Sequence, residues 1–406
     1  MVDLCSEEGI NASSLSEAYG CIFGRDSAIT ILKILKVHTH VPNQKLLDIC
    51  KQTLLTLVAL QGQKQNIENG EEDGKFIHEY RKNHKIFNAN RKTPWFVQED
   101  GTIKNYDSVD STPLTLLALY RYWEVTQDDT FLLRVLPSVT KGLRWIRARL
   151  AKDAFLAYEF PKTRLYGGLK VQSWTDSVDS LLTKDGVLPP YPIAPIEVQA
   201  YVWLTLVEWN HVYMTQDNAF AVQLLSSAKQ LKKKFNQAFL IKSKNLFYGV
   251  QALDGNKHQI PTITGNPLIC LWATTRKKEC ILEEAYIADF VKRGLQDDLF
   301  EPDAGIRTMS TLSATFNPLP TSYHNGSFWP ILNSLIYEGL ITWNFQQEAA
   351  ILKQASLSPI QYFGCPIELY IKGVDGSFLE YKSPFGKSGC RFQAWTAAAL
   401  FEWAHS

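Results

Sequence analysis

Apolar residues recur at spacings of three and four along much of the chain, the mark of helices with a buried face. The pattern predicts helices over 28–38, 46–61, 114–125, 136–150, 195–214, 218–236, 281–293, 329–342, 346–356 and 393–404. Several, such as PIEVQAYVWLTLVEWNHVYM at 195–214, are apolar on more than one face, which suits a helix packed on two sides. Long segments rich in Gly, Pro, Trp, Tyr, Asp and Asn separate them at 63–111, 160–195, 297–328 and 363–392. Loops this long inside a compact domain usually carry function. Short strand pairs are expected there: FLAYEF at 155–160 beside RLYGGLKVQSW at 164–174, and LFYGVQALDG at 246–255 before HQIPT at 258–262. No Gly/Ser linker or shift of composition divides the chain, so residues 1–406 read as one all-α domain. Its helical hairpins are expected to form a ring with functional loops at one end. An irregular all-α globule is the plainer alternative.

Composition narrows the function classes. Of the 406 residues 45% are hydrophobic and 12% aromatic, ample to bury a core. Lys and Arg number 42 against 41 Asp and Glu, so the basic excess of a nucleic-acid binder is lacking. The seven Cys lie dispersed at 5, 21, 50, 270, 280, 365 and 390, with no CxxC pair. They read as reduced thiols, and with no signal pattern at MVDLCSEEGINASSL the expected location is cytoplasmic. No run of about 18 apolar residues suggests a membrane span. Eight dispersed His without an HxxxH pair argue against zinc. GxGxxG, GxxxxGK[ST] and GxSxG are missing, so neither a cofactor nor a serine-hydrolase elbow is expected.

The candidate chemistry lies where carboxylates stand beside aromatic residues. Examples are FGRDS at 23–27, YDSVDS at 106–111, WTDSVDS at 174–180, PIEVQ at 195–199, YHNGSFW at 323–329, PIELY at 366–370 and FLEY at 378–381. A pyranose stacks its apolar face on an aromatic ring and offers hydroxyls to donors and acceptors, so such segments suit a sugar pocket. Cleavage of a glycosidic bond needs two carboxyl groups, one to protonate the departing oxygen and one to activate water or attack carbon. Burial beside aromatic rings helps an acid stay protonated, which draws attention to Asp176 two residues after Trp174. Each motif also has a structural reading. Asp26 suits a cap for a helix opening near Ala28, Asp110 suits a cap at Thr112-Pro113, and Asp179 and Ser180 suit a local cap. Glu79 and Arg81 read equally as a surface pair, and Glu380 as a solvated turn carboxylate beside Lys382.

Taken in order, FGRDSAI at 23–29, GKFIHEYR at 74–81, YDSVDSTPL at 106–114 and SWTDSVDS at 173–180 resemble the amylo-α-1,6-glucosidase domain of glycogen debranching enzymes. The resemblance continues through PPYPIAPIEVQAYVW at 189–203, GIRTMS at 305–310, SYHNGSFWP at 322–330 and QAWTAAALFEW at 393–403. That family is similar to other six-hairpin toroid glycosidases. The resemblance implies an (α/α)6 toroid and an inverting hydrolysis that releases glucose from an α-1,6-linked stub. It implies Asp176 as general acid and Glu368 as general base, although Ile367 separates Pro366 from the glutamate. Glu380, followed by Gln393-Ala-Trp395, resembles the base segment of related toroids and stands as the rival. Arg25 and Asp26 match a pair that grips hydroxyls of the terminal glucose. Trp174, Glu197, Gln199, Tyr323, His324, Asn325, Trp329 and Trp395 are the remaining candidates for the sugar pocket. The implied partner is an oligosaccharide or α-glucan, with no cofactor, metal, nucleic acid or membrane. Only 22 residues precede Phe23, so any transferase step is expected from a separate protein. Two other functions remain open: a toroid glycosidase for a glucosylglycerate, mannosylglycerate or trehalose-like molecule, and a non-catalytic glycan-binding or regulatory toroid.

Overall fold

Helices form where the apolar periodicity is strongest. In chain order they are α1 (Gly24–His38), α2 (Gln44–Ala59), α3 (His84–Asn88), α4 (Ser111–Thr126), α5 (Asp129–Asp153) and α6 (Ile196–Gln216). There follow α7 (Asn218–Ala238), α8 (Ile269–Trp272), α9 (Ile287–Gly294), α10 (Pro330–Thr342), α11 (Gln346–Phe363) and α12 (Ala394–Ala404). The structure is a computed structural model and describes residues 2–82, 84–89, 91–384 and 386–405. The chain resolves into two compact units. One holds the N-terminal part through Lys152, Tyr158–Trp174 and the segment from Phe392 onward; the other holds Asp153–Ala157 and Thr175–Arg391.

In the first unit α1 packs against α2, α4 and α12. It begins at Gly24, earlier than the apolar pattern indicates, because strand Ile22–Phe23 pairs with Glu79–Arg81 and runs straight into it. A Cβ at Gly24 would stand 2.1 Å from the Ile77 carbonyl oxygen, so only glycine fits that crossing. Asp26 therefore lies in the first turn of α1, where a carboxylate suits the helix dipole, and not at the cap. Asp110 does occupy the N-cap position of α4, yet its side chain caps nothing. It takes Arg25 Nη1 at 3.2 Å and the Ser108 hydroxyl instead. Near the other end of α1, buried Lys33 reaches Glu402 of α12 at 2.9 Å, and Lys36 bonds the same carboxylate. A buried ion of that kind needs such partners.

In the second unit α6 is buried along nearly its whole length and packs on α7 and α8. Its even apolar surface follows from having neighbours on more than one side. The pair α6–α7 turns at Asp217, whose side chain accepts from the Phe220 N–H at 3.0 Å and caps α7. α7 is one-sided: Phe220, Ala221, Leu224, Ala228, Leu231 and Phe235 are buried at helical spacing. Each large side chain among them contributes roughly 1.5–3 kcal/mol by leaving water. α10 packs on α8 and α11, and Pro330 opens it at the first helical position.

Two expectations for this unit change. Residues 281–293 are helical only from Glu284, as a 3-10 turn Glu284–Tyr286 leading into α9, because Ile281 and Leu282 are buried in an irregular strap over α7. Asn236 donates to the Ile281 carbonyl and Lys232 to that of Cys280, each at 2.8 Å, so side chains satisfy the backbone that a helix would have. Residues 155–160 form no strand either. The Gln199 amide bonds both the N–H of Leu156 (3.0 Å) and its carbonyl (2.8 Å), taking the place of a neighbouring strand. The second expected strand region does form. Leu246–Gly249 pairs with Leu240–Ser243 around Lys244 and Asn245, both at positive φ as a two-residue hairpin turn requires, and Ala252–Leu253 pairs with Gln259–Ile260.

Candidate active site

Glu368 stands in an extended segment held by its neighbours on both sides. Ile367 and Tyr370 are buried with Ala304, Phe328 and Cys365. Phe328 and Tyr370 exchange backbone hydrogen bonds at 2.9 and 3.0 Å, and the Tyr370 hydroxyl donates to the Ala304 carbonyl at 2.7 Å. The backbone N–H of Glu368 donates to Cys390 O at 2.8 Å. With the backbone pinned, the side chain is 2% exposed and both oxygens accept hydrogen bonds. The Tyr323 hydroxyl donates to Oε1 at 2.6 Å, and the Cys390 N–H donates to Oε2 at 2.7 Å. Both bonds hold the group as an acceptor, the role a base needs when it takes a proton from water.

Tyr323 belongs to a tight turn through 322–329. Gly326 has φ +130°, and a Cβ there would meet the Phe316 ring at 2.3 Å. The turn folds Trp329 back so that its Nε1 donates to Tyr323 O at 3.0 Å and to Ser327 Oγ at 3.1 Å. His324 stacks on Trp329 with ring centroids 4.9 Å apart and planes at 14°, while Tyr323 meets both rings edge-on. Tyr381 lies 4.8 Å from Tyr323, ring to ring. Burial, and then the charges of Asp179 and Glu368, push the Tyr381 hydroxyl pKa above its ordinary value.

The loop carrying Asp176 is fastened to this same turn. The Ser177 N–H donates to His324 Nδ1 at 3.3 Å, with the Ser177 hydroxyl 2.9 Å from the same atom. The Asn325 amide donates to the Asp179 carbonyl at 2.8 Å. No helix starts at Asp179; Ser180 instead closes the loop by donating to the carbonyls of Thr175 and Ser177. Asp176 is half-buried. The structure thus brings Tyr323, His324, Asn325, Trp329 and Glu368 into one hydrogen-bonded and stacked cluster within the second unit, and ties to it, through Ser177 and Asp179, the loop that carries Asp176. Sequence reasoning missed Ser177, whose only signal is its place beside Asp176. It also missed the Cys390 N–H, a backbone donor that no residue pattern marks.

The other candidates have contacts of their own. Glu380 sits on the strand Phe378–Glu380 and forms an ion pair with exposed Arg391. Glu197 is fully buried in the first turn of α6, with Asn266 donating to it at 3.5 Å. Gln199 is placed otherwise than expected, because Leu156 and the Pro195 carbonyl occupy its amide. In the first unit Arg25 bonds Asp110 and lies 3.6 Å from Asp26, and Gln393 donates to Asp26 at 3.3 Å. Trp174 and Trp395 are buried there. Glu79 pairs with Arg81 as expected, but the carboxylate is buried and not on the surface. Among the described residues no group of three or more His, Cys, Asp or Glu side chains is placed to hold a metal ion. No described helix is long and apolar enough to cross a membrane.

Several solved structures are similar to the chain. A GH63 mannosylglycerate hydrolase from Thermus thermophilus, in complex with Tris, matches 99% of this chain and 97% of its own at 14% identity and a TM-score of 0.67. The same enzyme with glucose gives 14% identity, the same coverage and a TM-score of 0.66. A metal-independent α-mannosidase from Streptococcus pneumoniae, in a non-productive complex with α-1,6-mannobiose, matches 94% of this chain and 84% of its own, at 15% identity and a TM-score of 0.58. At these identities the likeness shows the fold, and it bears out the all-α toroid class read from the sequence. No curated protein matches the sequence. The family model described as amylo-alpha-1,6-glucosidase matches residues 93–402, and the chain therefore belongs to that family of glycoside hydrolases.

Proposed function

We propose that this enzyme is an inverting glycosidase in which Asp176 is the general acid and Glu368 the general base. Asp176 gives its proton to the glycosidic oxygen as the bond to the anomeric carbon breaks. Glu368 takes a proton from a water whose oxygen attacks that carbon from the opposite face. Inversion needs about 6.5–9.5 Å between the carboxyl groups, to leave room for the water. The observation that carries the reading is the Tyr323–His324 dipeptide. One residue holds Glu368 by a 2.6 Å bond and the next holds the loop of Asp176 through Ser177. Glu380 is less suited to the base role because Arg391 occupies its carboxylate.

The proposed substrate is an α-1,6-linked glucoside that loses one glucose, in keeping with the family description. A small α-glycoside of the mannosylglycerate type is the second reading. It is favoured by the near end-to-end match with a hydrolase of that compound. None of the seven cysteines is joined in a disulfide, which fits a reducing cytoplasmic setting. The test is release of monosaccharide from isomaltose, panose, limit dextrin, glucosylglycerate and mannosylglycerate, with proton NMR of the first product. Glucose appearing first as the β anomer supports the principal reading. Mannose from mannosylglycerate alone selects the second, and an α anomer overturns the inverting mechanism.

A further inference from the structure

Ser177 has two hydrogens close to one ring atom of His324. Its backbone N–H lies 3.3 Å from Nδ1 and can only donate, so Nδ1 is an acceptor. The Ser177 hydroxyl, 2.9 Å from the same nitrogen, must then donate as well. The ring is accordingly neutral, with its proton on Nε2. It is 2% exposed and stacked on Trp329, whose indole is itself tied to the Tyr323 carbonyl and Ser327. Next in the chain, Asn325 holds the carbonyl of Asp179. The residue after Asp176 and the residue three beyond it are thus fixed to consecutive positions of one rigid turn. A sugar ligand would need a ring nitrogen to bond, and Nδ1 is already occupied by the loop.

We infer that His324 is a positioning residue that holds the Asp176 loop in register for proton delivery and makes no hydrogen bond from Nδ1 to substrate. The inference rests on Asp176 being the general acid. It predicts a defect confined to steps that need that proton. A glycosyl fluoride leaves as fluoride without protonation, whereas a sugar alkoxide does not. Loss of the clamp should therefore depend on the leaving group.

The experiment compares hydrolysis of isomaltose, or of mannosylglycerate if that is the glycoside cleaved, with hydrolysis of the α-fluoride of the released sugar. The enzymes are wild type, His324→Ala, His324→Gln, His324→Asn, Ser177→Ala and Asp176→Asn. Asn presents an oxygen near the place of Nδ1; Gln presents its polar atoms near Nε2. General-acid contributions are of order 10²–10⁴, so H324A and H324Q should lose roughly 30- to 100-fold in kcat on the natural glycoside. KM should stay within about threefold and fluoride turnover within about fivefold, as expected when only a transition-state interaction is lost. H324N should recover most of the loss, and S177A should show a milder form of the same leaving-group dependence. S177A carries the test if the ring cannot be removed without unfolding, which thermal melts report. Equal losses on both substrates, no loss in H324A, or no rescue by Asn where Gln fails would overturn the inference. D176N separates the two levels. If it loses fluoride hydrolysis as severely as glycoside hydrolysis, the acid assignment itself falls and takes the clamp with it. If D176N spares the fluoride and H324A does not, only the clamp falls.

Discussion

The Tyr323 hydroxyl donates to Oε1 of Glu368 at 2.6 Å, across 45 residues of sequence. The Cys390 N–H holds the other oxygen, so the carboxylate cannot rotate without giving up a charge-assisted bond. Removing the hydroxyl should leave the fold intact, because the Tyr323 ring still packs against Trp329 and Tyr381. A hydrogen bond to a charged group contributes about 1.5–3 kcal/mol, so Tyr323→Phe should lower kcat by roughly 10- to 100-fold. Steady-state kinetics at saturating substrate check this. Wild-type turnover would mean that the bond does not orient the base.

Glu368 and Glu380 differ in what holds them, and the difference predicts different mutants. Glu368→Ala removes a buried acceptor between two donors and should cost turnover by about 10²–10⁴. A small anion such as azide, occupying the vacated space, should restore part of the rate and yield a β-glycosyl azide. Glu380→Ala breaks an ion pair with an exposed arginine and should change kcat by less than about threefold, since such pairs contribute little. Azide rescue of the Glu380 variant, with none in the Glu368 variant, would reverse the assignment.

Asp176→Asn keeps the shape of the side chain and removes its proton. The loop is held through Ser177, Asp179 and Ser180 and not through the acid alone, so thermal melting should be nearly unchanged. Turnover of the natural glycoside should fall by several orders of magnitude, approaching the upper limit of general-acid effects near 10⁴. Product formation at wild-type rate would remove Asp176 from the mechanism.

Much of the cluster was legible because its residues are unusual in kind: an acid after a tryptophan, a Tyr-His-Asn-Gly turn, a glutamate amid apolar neighbours. The helices were legible because burial on two sides leaves α6 apolar all round, whereas α7 keeps a single stripe. What the sequence hides is substitution of one hydrogen-bonding partner for another. Gln199 stands in for a strand beside Leu156, and Asn236 and Lys232 stand in for a helix at Cys280 and Ile281. Periodicity records that these segments are buried but not what satisfies their backbones. The choice between Glu368 and Glu380 is hidden for a related reason. It turns on Tyr323 and on Arg391, neither of which is near its carboxylate in sequence.

In the first unit, His78 meets Phe23 edge-on at 5.3 Å and is buried, with no hydrogen-bond partner at Nδ1 among the described residues. Burial, reinforced by the charges of Arg25, Lys75 and Arg81, holds its pKa well below the ordinary 6.5. The unfolded chain therefore takes up a proton at this residue before the folded protein does. Its contribution to stability is complete above pH 6.5 and is lost progressively as the pH falls below that value toward the depressed folded pKa. The slope from one such group is at most about 1.4 kcal/mol per pH unit. His78→Phe keeps an aromatic ring against Phe23 and removes the titration. Denaturant unfolding between pH 7 and pH 5, a range lying on either side of the imidazole's ordinary pKa near 6.5, should show wild type losing stability more steeply than the variant. Parallel curves would mean that His78 is protonated alike in both states, and that its burial is incomplete in solution.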